Sequence, residues 1–452
     1  MTVQSTQVSK SPKFDVDNAS KSLSGPQWLK DRREKYLELF HNESFPTTEQ
    51  EIWRYTDINS FDINNYRPLT VSDLGEPGEK KSPGGGVVAA EAGKNSALVV
   101  VRDGRVVHCK LSDELIAKGV IVSGIVEAQD DVQEKIQERI GKISDESSDT
   151  FILLNEALSV GGTFIHVPKS VVVEEPIVIV HWSEGSQVAV FDRTIVDVET
   201  NAQVSIIERF ESSDEEMFIS SITEVLVGQN ANVKFLTSQE DGKNTTHIGL
   251  HRTHVKRDGR FESSTVSLGG KYSRLRCEVA LLEQGANSDV MAVYYGNNDQ
   301  LLDFRTLQDH RAENTTSNLL FKGAVEDESR SVYSGMVHLR EQAQRSQAFQ
   351  TNRNLVLDHG AHAESIPNLM IEANDVKCSH GSTVGPIDEE QMYYLATRGV
   401  SPQDAEKLIV LGFFEDVFNR LSIPALVEPL RRSVNEKIST LLVRREDEQV
   451  AK

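Results

Sequence analysis

A chain of 452 residues is longer than one ordinary hydrophobic core organises, so it predicts two or three domains or one elongated repeat domain. Its formal net charge of -21 argues against nucleic acids and anionic membranes as partners, because their phosphates would be repelled. The sequence contains three widely separated cysteines, which argues against a disulfide framework.

The predicted location is the cytoplasm. The odd number of cysteines fits a reducing compartment, and the first 25 residues contain no apolar run of the kind found in secretory signals. A serine-rich opening could also be read as a weak plastid transit peptide, but Asp15 and Asp17 argue against that alternative.

Residues 1–95 are predicted to form a helical region followed by a flexible linker. A helix is expected from Pro26 to Phe40, where apolar residues recur at helical spacing. Trp53 and Tyr55, in the run Glu-x-Trp-x-Tyr-Thr, are interpreted as packing anchors. The stretch 75–93 is rich in Gly, Pro, Lys and Glu, which is typical of a linker.

Residues 96–150 are predicted to be a mixed α/β connection, which opens with a hairpin around Asp103 and Gly104. From residue 151 to 386 the pattern becomes strand after strand. Small residues in polar turns recur there at intervals of 29, 28, 27 and 26 residues: Ala202, Ala231, Gly259, Ala286 and Ala312. A repeat of this length predicts a β-solenoid, whereas a β-sandwich would show turn signals at about 8–12 residues.

The junction between strand and helix patterns carries the candidate site. Cys378 and His380 are two residues apart, and an extended backbone would place both side chains on one face. A thiolate and an imidazole are both metal ligands, but two ligands are too few for a zinc or iron-sulfur site. If this pair binds a metal, another group must complete the site.

Residues 387–452 are predicted to form a C-terminal helical domain. Asp388 is a good helix N-cap, and Gly399 is a suitable terminator. Ser401 and Pro402 begin a second helix with an apolar face. We expect this domain also to cover the open end of the solenoid.

Other candidate residues are better explained as structural. The histidine pairs His251 with His254 and His359 with His362 are three residues apart, which places them on opposite faces of a strand. Cys109 and Cys277 are interpreted as packing residues or as incidental. The polar run from 342 to 354 is interpreted as scaffold, with the lining of a path as the lesser alternative, and inward-facing members would need hydrogen-bond partners.

The sequence predicts no nucleotide site of its own. The run Gly269-Gly270-Lys271-Tyr272 lacks both the loop spacing and the hydroxyl of a phosphate-binding loop.

The run Cys-Ser-His-Gly-Ser-Thr-Val-Gly from Cys378, followed by Ile-Asp-Glu-Glu-Gln, closely resembles the C-terminal signature of the SufB/SufD family of iron-sulfur cluster assembly scaffolds. The run around Trp53 resembles that family's N-terminal motif. Gly381 favours the SufD branch, since the SufB branch usually carries Glu there and has more cysteines. The resemblance also implies a mainly β fold: a right-handed parallel β-helix core between an N-terminal helical region and a C-terminal helical domain.

The resemblance implies a non-catalytic scaffold subunit that pairs with a SufB-like paralogue. Cys378 and His380 would then be cofactor-binding and metal ligands in a site shared across the interface. The cargo would be a transient iron-sulfur cluster or iron. A SufC-like ABC-type ATPase would dock on the C-terminal helical domain.

Two alternatives stay open at this point. A homodimeric scaffold would also bring two Cys-His pairs together across a two-fold axis. A carbohydrate-active β-helix enzyme is the other alternative, although such enzymes need clustered carboxylates and usually a secretion signal.

Overall fold

The computed structural model describes residues 14–56, 58–73, 96–144, 149–421, 423 and 426–450. Its centre is a β-solenoid of about 8 turns, and each turn contributes one strand to each of two parallel sheets. The predicted mainly β fold with helical ends is therefore confirmed. The predicted linker at 75–93 lies outside the described residues, and the boundaries of the four predicted regions stay a prediction.

The first sheet contains the strand that begins each turn. The short strand Arg67–Pro68 lies beside this sheet and pairs with Val188 and Ala189. Its strands are β1 (Arg67–Pro68), β4 (Ile121–Gly124), β5 (Thr163–Val167), β7 (Val188–Val198), β9 (Met217–Val227), β11 (Thr245–Val255), β13 (Tyr272–Leu281), β15 (Leu301–His310), β17 (Arg330–Leu339) and β19 (His362–Ile371).

The second sheet contains the strands that complete each turn. Its strands are β2 (Ala97–Arg102), β3 (Arg105–Leu111), β6 (Ile177–Ser183), β8 (Gln203–Ser212), β10 (Asn232–Glu240), β12 (Arg260–Ser267), β14 (Asn287–Gly296), β16 (Thr316–Val325), β18 (Gln347–Val356) and β20 (Lys377–Gly385).

The helices lie before, beside and after the solenoid. They are α1 (Val16–Ser22), α2 (Gln27–Asn42), α3 (Asp113–Ala117), α4 (Asp130–Arg139), α5 (Thr150–Leu158), α6 (Glu389–Thr397), α7 (Pro402–Phe418) and α8 (Val427–Val450), with 3-10 turns at Glu51–Trp53, Ile58–Ser60, Ile63–Asn65 and Val71–Asp73.

The corners between the sheets explain the repeat seen in the sequence. Asn201, Asn230 and Asp258 each have a positive φ just before the small residue of a turn, a conformation that Asn and Asp tolerate. Ala312 lies in the turn before β16, as expected. Asn287 is in register with Thr316, so Thr315 takes the corner position equivalent to Ala286, and the repeat does not continue to shorten.

The two ends of the solenoid differ. At the first end, the antiparallel strand β3 pairs with β2, and β4 pairs with β5. At the last end, β19 and β20 each pair with only one neighbour among the described strands.

The C-terminal helices cover the outer face of the second sheet. Val410 and Phe414 of α7 belong to one hydrophobic cluster with Val266, Val293 and Tyr295 of the sheet. The prediction that these helices cover the end of the solenoid was wrong. The outward side chains of the sheet form a broad apolar surface, and the amphipathic helices bury that surface instead.

The N-terminal region covers the outer face of the first sheet. Trp53 is 2% exposed and packs in a cluster with Phe151 and Phe218. The Arg274 guanidinium lies 3.8 Å from the Trp53 ring centroid and pairs with the buried Asp303. The interpretation of Trp53 as a packing anchor is confirmed.

Replacement of Trp53 by Ala should lower the free energy of unfolding by about 3–5 kcal/mol, because it leaves a cavity and exposes one side of the buried Arg274 pair. Denaturant unfolding followed by circular dichroism measures this change. Leu39→Ala is the matched control, since Leu39 is 44% exposed on α2 and its truncation should have little effect. Equal loss in both variants would contradict the anchoring role.

Candidate functional site

Cys378 and His380 lie on β20, the last strand of the second sheet. Cys378 is in register with Ala348, and His380 is in register with Gln350. Both partners on β18 are buried inside the solenoid. Because side chains in one register column share a face, Cys378 and His380 both point toward the solenoid interior. The predicted common face is confirmed, and the role of the two residues as ligands stays a prediction.

This interior is open at the last turn. Cys378 is half-buried and packs against the small cluster of Val337, Leu339 and Ala348, whereas His380 is exposed. Elsewhere in the solenoid, each strand is covered by a strand of the next turn. Among the described residues, no strand covers β20 in this way. The thiol and the imidazole are therefore accessible from the end of the solenoid.

The opposite wall of this opening is formed by β19. The Ser382 hydroxyl donates a hydrogen bond of 2.7 Å to the Ser365 hydroxyl, which joins the last strands of the two sheets. Ser382 lies two residues beyond His380 on the same inward face, in register with the buried Asn352. This hydrogen bond thus connects the two strands of the last turn. The side of the turn that faces away from the rest of the solenoid stays exposed.

Burial raises the pKa of the Cys378 thiol above its ordinary value. The thiol is therefore protonated at neutral pH until a metal or a cationic group favours the thiolate. Among the described residues, the one group of three His, Cys, Asp or Glu side chains within metal-binding distance of one another lies elsewhere, so no third described residue of these types joins Cys378 and His380.

Apolar side chains surround the open end. Met370 and Ile371 at the end of β19 are 48% and 46% exposed, and Val384 of β20 is 43% exposed. Val384 lies across from the start of β19, because Ser382 bonds Ser365, so these side chains stand at different points around the last turn. Exposed apolar side chains of this size are available to an interaction surface. We call the set Met370, Ile371 and Val384 the apolar rim.

The helix after β20 begins as the sequence predicts. Asp388 caps α6 by accepting a hydrogen bond of 2.8 Å from the Glu390 amide, and Gly399 follows its last turn with a φ of 80°. None of the side chains of α6 is buried, and Tyr393 and Tyr394 are 74% and 57% exposed. This helix presents aromatic side chains to the solvent beside α7.

The structural interpretation of most other candidates fits their surroundings. His251 is buried against Phe235, and burial lowers its pKa to about 4. Cys277 is buried in the core, and burial raises its pKa to about 12. Cys109 is exposed, so it does not pack in the core, and it donates its thiol hydrogen to the Val122 carbonyl over 3.3 Å.

The second histidine pair does not form a shared site. His362 lies 3.4 Å from Glu364 on the outer side of the first strand position of β19, and His359 is in the preceding turn.

Sequence reasoning missed one carboxylate group. Glu326, Asp327 and Asp358 place their oxygens within 4.8 Å of one another at a solenoid corner. The Asp327 amide donates to the Asp358 carboxylate over 2.9 Å, which explains their proximity as part of the turn. Only the register of adjacent turns brings them together, so no local sequence signal could have revealed the group.

No helix in the described ranges is both long and apolar enough to cross a membrane.

Comparison with known proteins identifies the family. Residues 181–413 match the domain described as "SUF system FeS cluster assembly, SufBD core domain", and residues 19–179 match the "SufBD protein N-terminal region". The chain is 28% identical over 423 residues to the iron-sulfur cluster assembly protein SufD of Bacillus subtilis, covering 91% of this chain and 94% of that protein.

Similar proteins also occur in staphylococci. An iron-sulfur cluster assembly SufBD family protein of Staphylococcus epidermidis is 25% identical over 421 residues, covering 91% of this chain and 90% of the relative. One from Staphylococcus aureus is 25% identical over 423 residues with the same coverage. The chain therefore belongs to the SufBD family of the SUF system for iron-sulfur cluster assembly, and within that family it is SufD-like.

Proposed function

We propose that this chain is a non-catalytic scaffold subunit that contributes Cys378 and His380 to a site shared with a second subunit. The observation that carries the proposal is the position of both residues on the terminal strand β20, where they point into the solenoid from its uncovered end. Family membership supports iron-sulfur cluster assembly as the process and argues against the carbohydrate-active alternative.

The number of ligands supports a shared site. Iron-sulfur clusters are commonly held by four protein ligands, and this chain offers one thiol and one imidazole at the open end. A partner that covers this end would supply further ligands and exclude water. The cargo, a transient iron-sulfur cluster or iron, would then be bound only while both subunits surround it.

A SufB-like paralogue is the proposed partner. Because no described strand pairs with the outer edge of β20, its backbone groups are available to an added strand, and the apolar rim offers surface to bury. A homodimer remains a second candidate, because a two-fold axis beside β20 would bring two copies of the same edge together.

The proposed docking site for a SufC-like ATPase is the C-terminal helical domain. Tyr393 and Tyr394 of α6 offer exposed aromatic surface there. The Lys322 ammonium of β16 donates 2.9 Å to the Phe413 carbonyl of α7 and lies 3.2 Å from the Asp416 carboxylate. Motion imposed on these helices would therefore reach the sheet that carries β20.

We place the assembly in the cytoplasm as part of this proposal. All three cysteines are free in the structure, and none lies in a disulfide, which fits a reducing compartment.

Replacement of His380 or Cys378 by Ala should weaken iron retention by the anaerobically co-expressed complex at least about tenfold. Replacing even a residue that only supports a metal ligand lowers metal affinity about 10–100-fold. Iron and sulfide analysis, with an absorption spectrum, measures the loss. His362→Ala is the control, because His362 is an exposed histidine on β19 outside the site. Normal iron content in both site variants, with intact circular dichroism spectra, would remove the two residues from the site.

Partner binding should protect Cys378 from N-ethylmaleimide. In the isolated chain, Cys378 should react and Cys277 should not, because Cys277 is 3% exposed. In the complex, Cys378 should become largely unreactive while labelling of Cys109 is unchanged. Mass spectrometry of peptides quantifies each thiol. Unchanged labelling of Cys378 in a complex of verified mass would place the interface elsewhere.

A further inference from the structure

Gln350 is a buried amide directly beneath the candidate site. It lies on β18, is 1% exposed and is in register with His380 of β20. Neither its Nε2 nor its Oε1 atom makes a hydrogen bond within the described structure. A buried amide without partners is costly, so its presence inside the solenoid calls for an explanation.

The side chain extends across the interior toward the first sheet. A Cβ atom placed on Gly335 of β17 would lie 2.2 Å from the Gln350 Nε2 atom, so the glycine makes room for the amide. The Tyr333 hydroxyl lies 2.4 Å from the same Cβ position: burial raises the pKa of Tyr333, and its interactions with the Thr306 hydroxyl and the Gln350 amide lower it. That hydroxyl pairs with the Thr306 hydroxyl at 3.1 Å, and neither amide atom of Gln350 makes a hydrogen bond to a described residue.

The other two inward amides of β18 are hydrogen-bonded. Asn352 donates 3.1 Å to the Tyr294 hydroxyl, and Asn354 donates 2.8 Å to the Asn352 side-chain oxygen. Tyr294 in turn donates 2.5 Å to the Asn354 side-chain oxygen. Asn352 and Asn354 thus have partners, whereas neither amide atom of Gln350 does.

His380 is the neighbour that can use this amide. None of the described residues forms a hydrogen bond or an ion pair with the His380 imidazole. Side chains on one face of adjacent strands lie about 5 Å apart, which a glutamine side chain spans. A histidine that binds a metal through one ring nitrogen almost always donates its other ring N–H to a carbonyl or carboxylate oxygen.

We propose that Gln350 is a positioning residue for His380. Its Oε1 atom accepts the N–H of one ring nitrogen, which fixes the tautomer and leaves the other nitrogen free to bind the cargo metal. The inference rests on the proposed role of His380 and adds a residue that does not itself touch the metal. It also explains why an amide without partners is placed beneath the open end.

Ferrous iron titrated anaerobically into the purified complex with the SufB-like paralogue tests this assignment. Gln350→Met keeps the length of the side chain and removes the acceptor, and it should weaken ferrous iron binding about 10–100-fold. Gln350→Glu retains an acceptor oxygen and should restore binding. The double variant Gln350→Met with His380→Ala should bind ferrous iron no more weakly than His380→Ala alone, because Gln350 acts only through His380.

Gln308→Met is the matched control. Gln308 is also 1% exposed, and its Nε2 atom has no partner, but it lies on β15, two turns away from His380. This variant should bind ferrous iron as the unmodified complex does. The thermal midpoint of the isolated Gln350→Met chain should not fall, because the lost amide had no hydrogen bonds to lose.

The outcomes separate this inference from the proposed function. Unchanged iron affinity in Gln350→Met, with a loss in His380→Ala, would overturn the role of Gln350 and leave the shared site intact. Additive losses in the double variant would also overturn it. Normal affinity in His380→Ala would instead refute the proposed site itself.

Discussion

A solenoid buries the inward face of each turn only by stacking another turn on it, and every feature of the candidate site follows from this constraint. The first end is closed by the antiparallel strands β3 and β4. The last end has β19 and β20 at its edge, and the helices that follow pack beside the second sheet. A thiol and an imidazole therefore stand in an interior that no described strand of this chain covers.

The chemistry of the interior changes toward that end. Earlier turns combine apolar side chains such as Ile206 and Phe235 with the buried pair of His181 and Glu208, whereas β18 places three amides along its inward face. Burial raises the pKa of the Cys378 thiol, which disfavours the thiolate in the isolated chain. A bound metal would reverse this preference, so loading of the site and closure of the interface are expected to support each other.

Local sequence signals predicted local structure well. The alternation of strand side chains placed Cys378 and His380 on one face, and the caps at Asp388 and Ser401 marked real helix starts. Properties that depend on register between turns could not be predicted. Thr315 replaced Ala312 at its corner, and the missing partners of Gln350 are visible only once β17, β18 and β20 are aligned. The packing of the C-terminal helices was also missed, because their apolar faces do not reveal which surface they cover.

The proposed shared site requires a second subunit that covers the open end of the solenoid. Hydrogen–deuterium exchange of the isolated chain and of its complex with a SufB-like paralogue tests this most directly. We predict slower exchange of the amides in Lys377–Gly385 on complex formation, with no change in the central strand Met217–Val227. Unaltered exchange across Lys377–Gly385 in a complex of confirmed mass would contradict the claim.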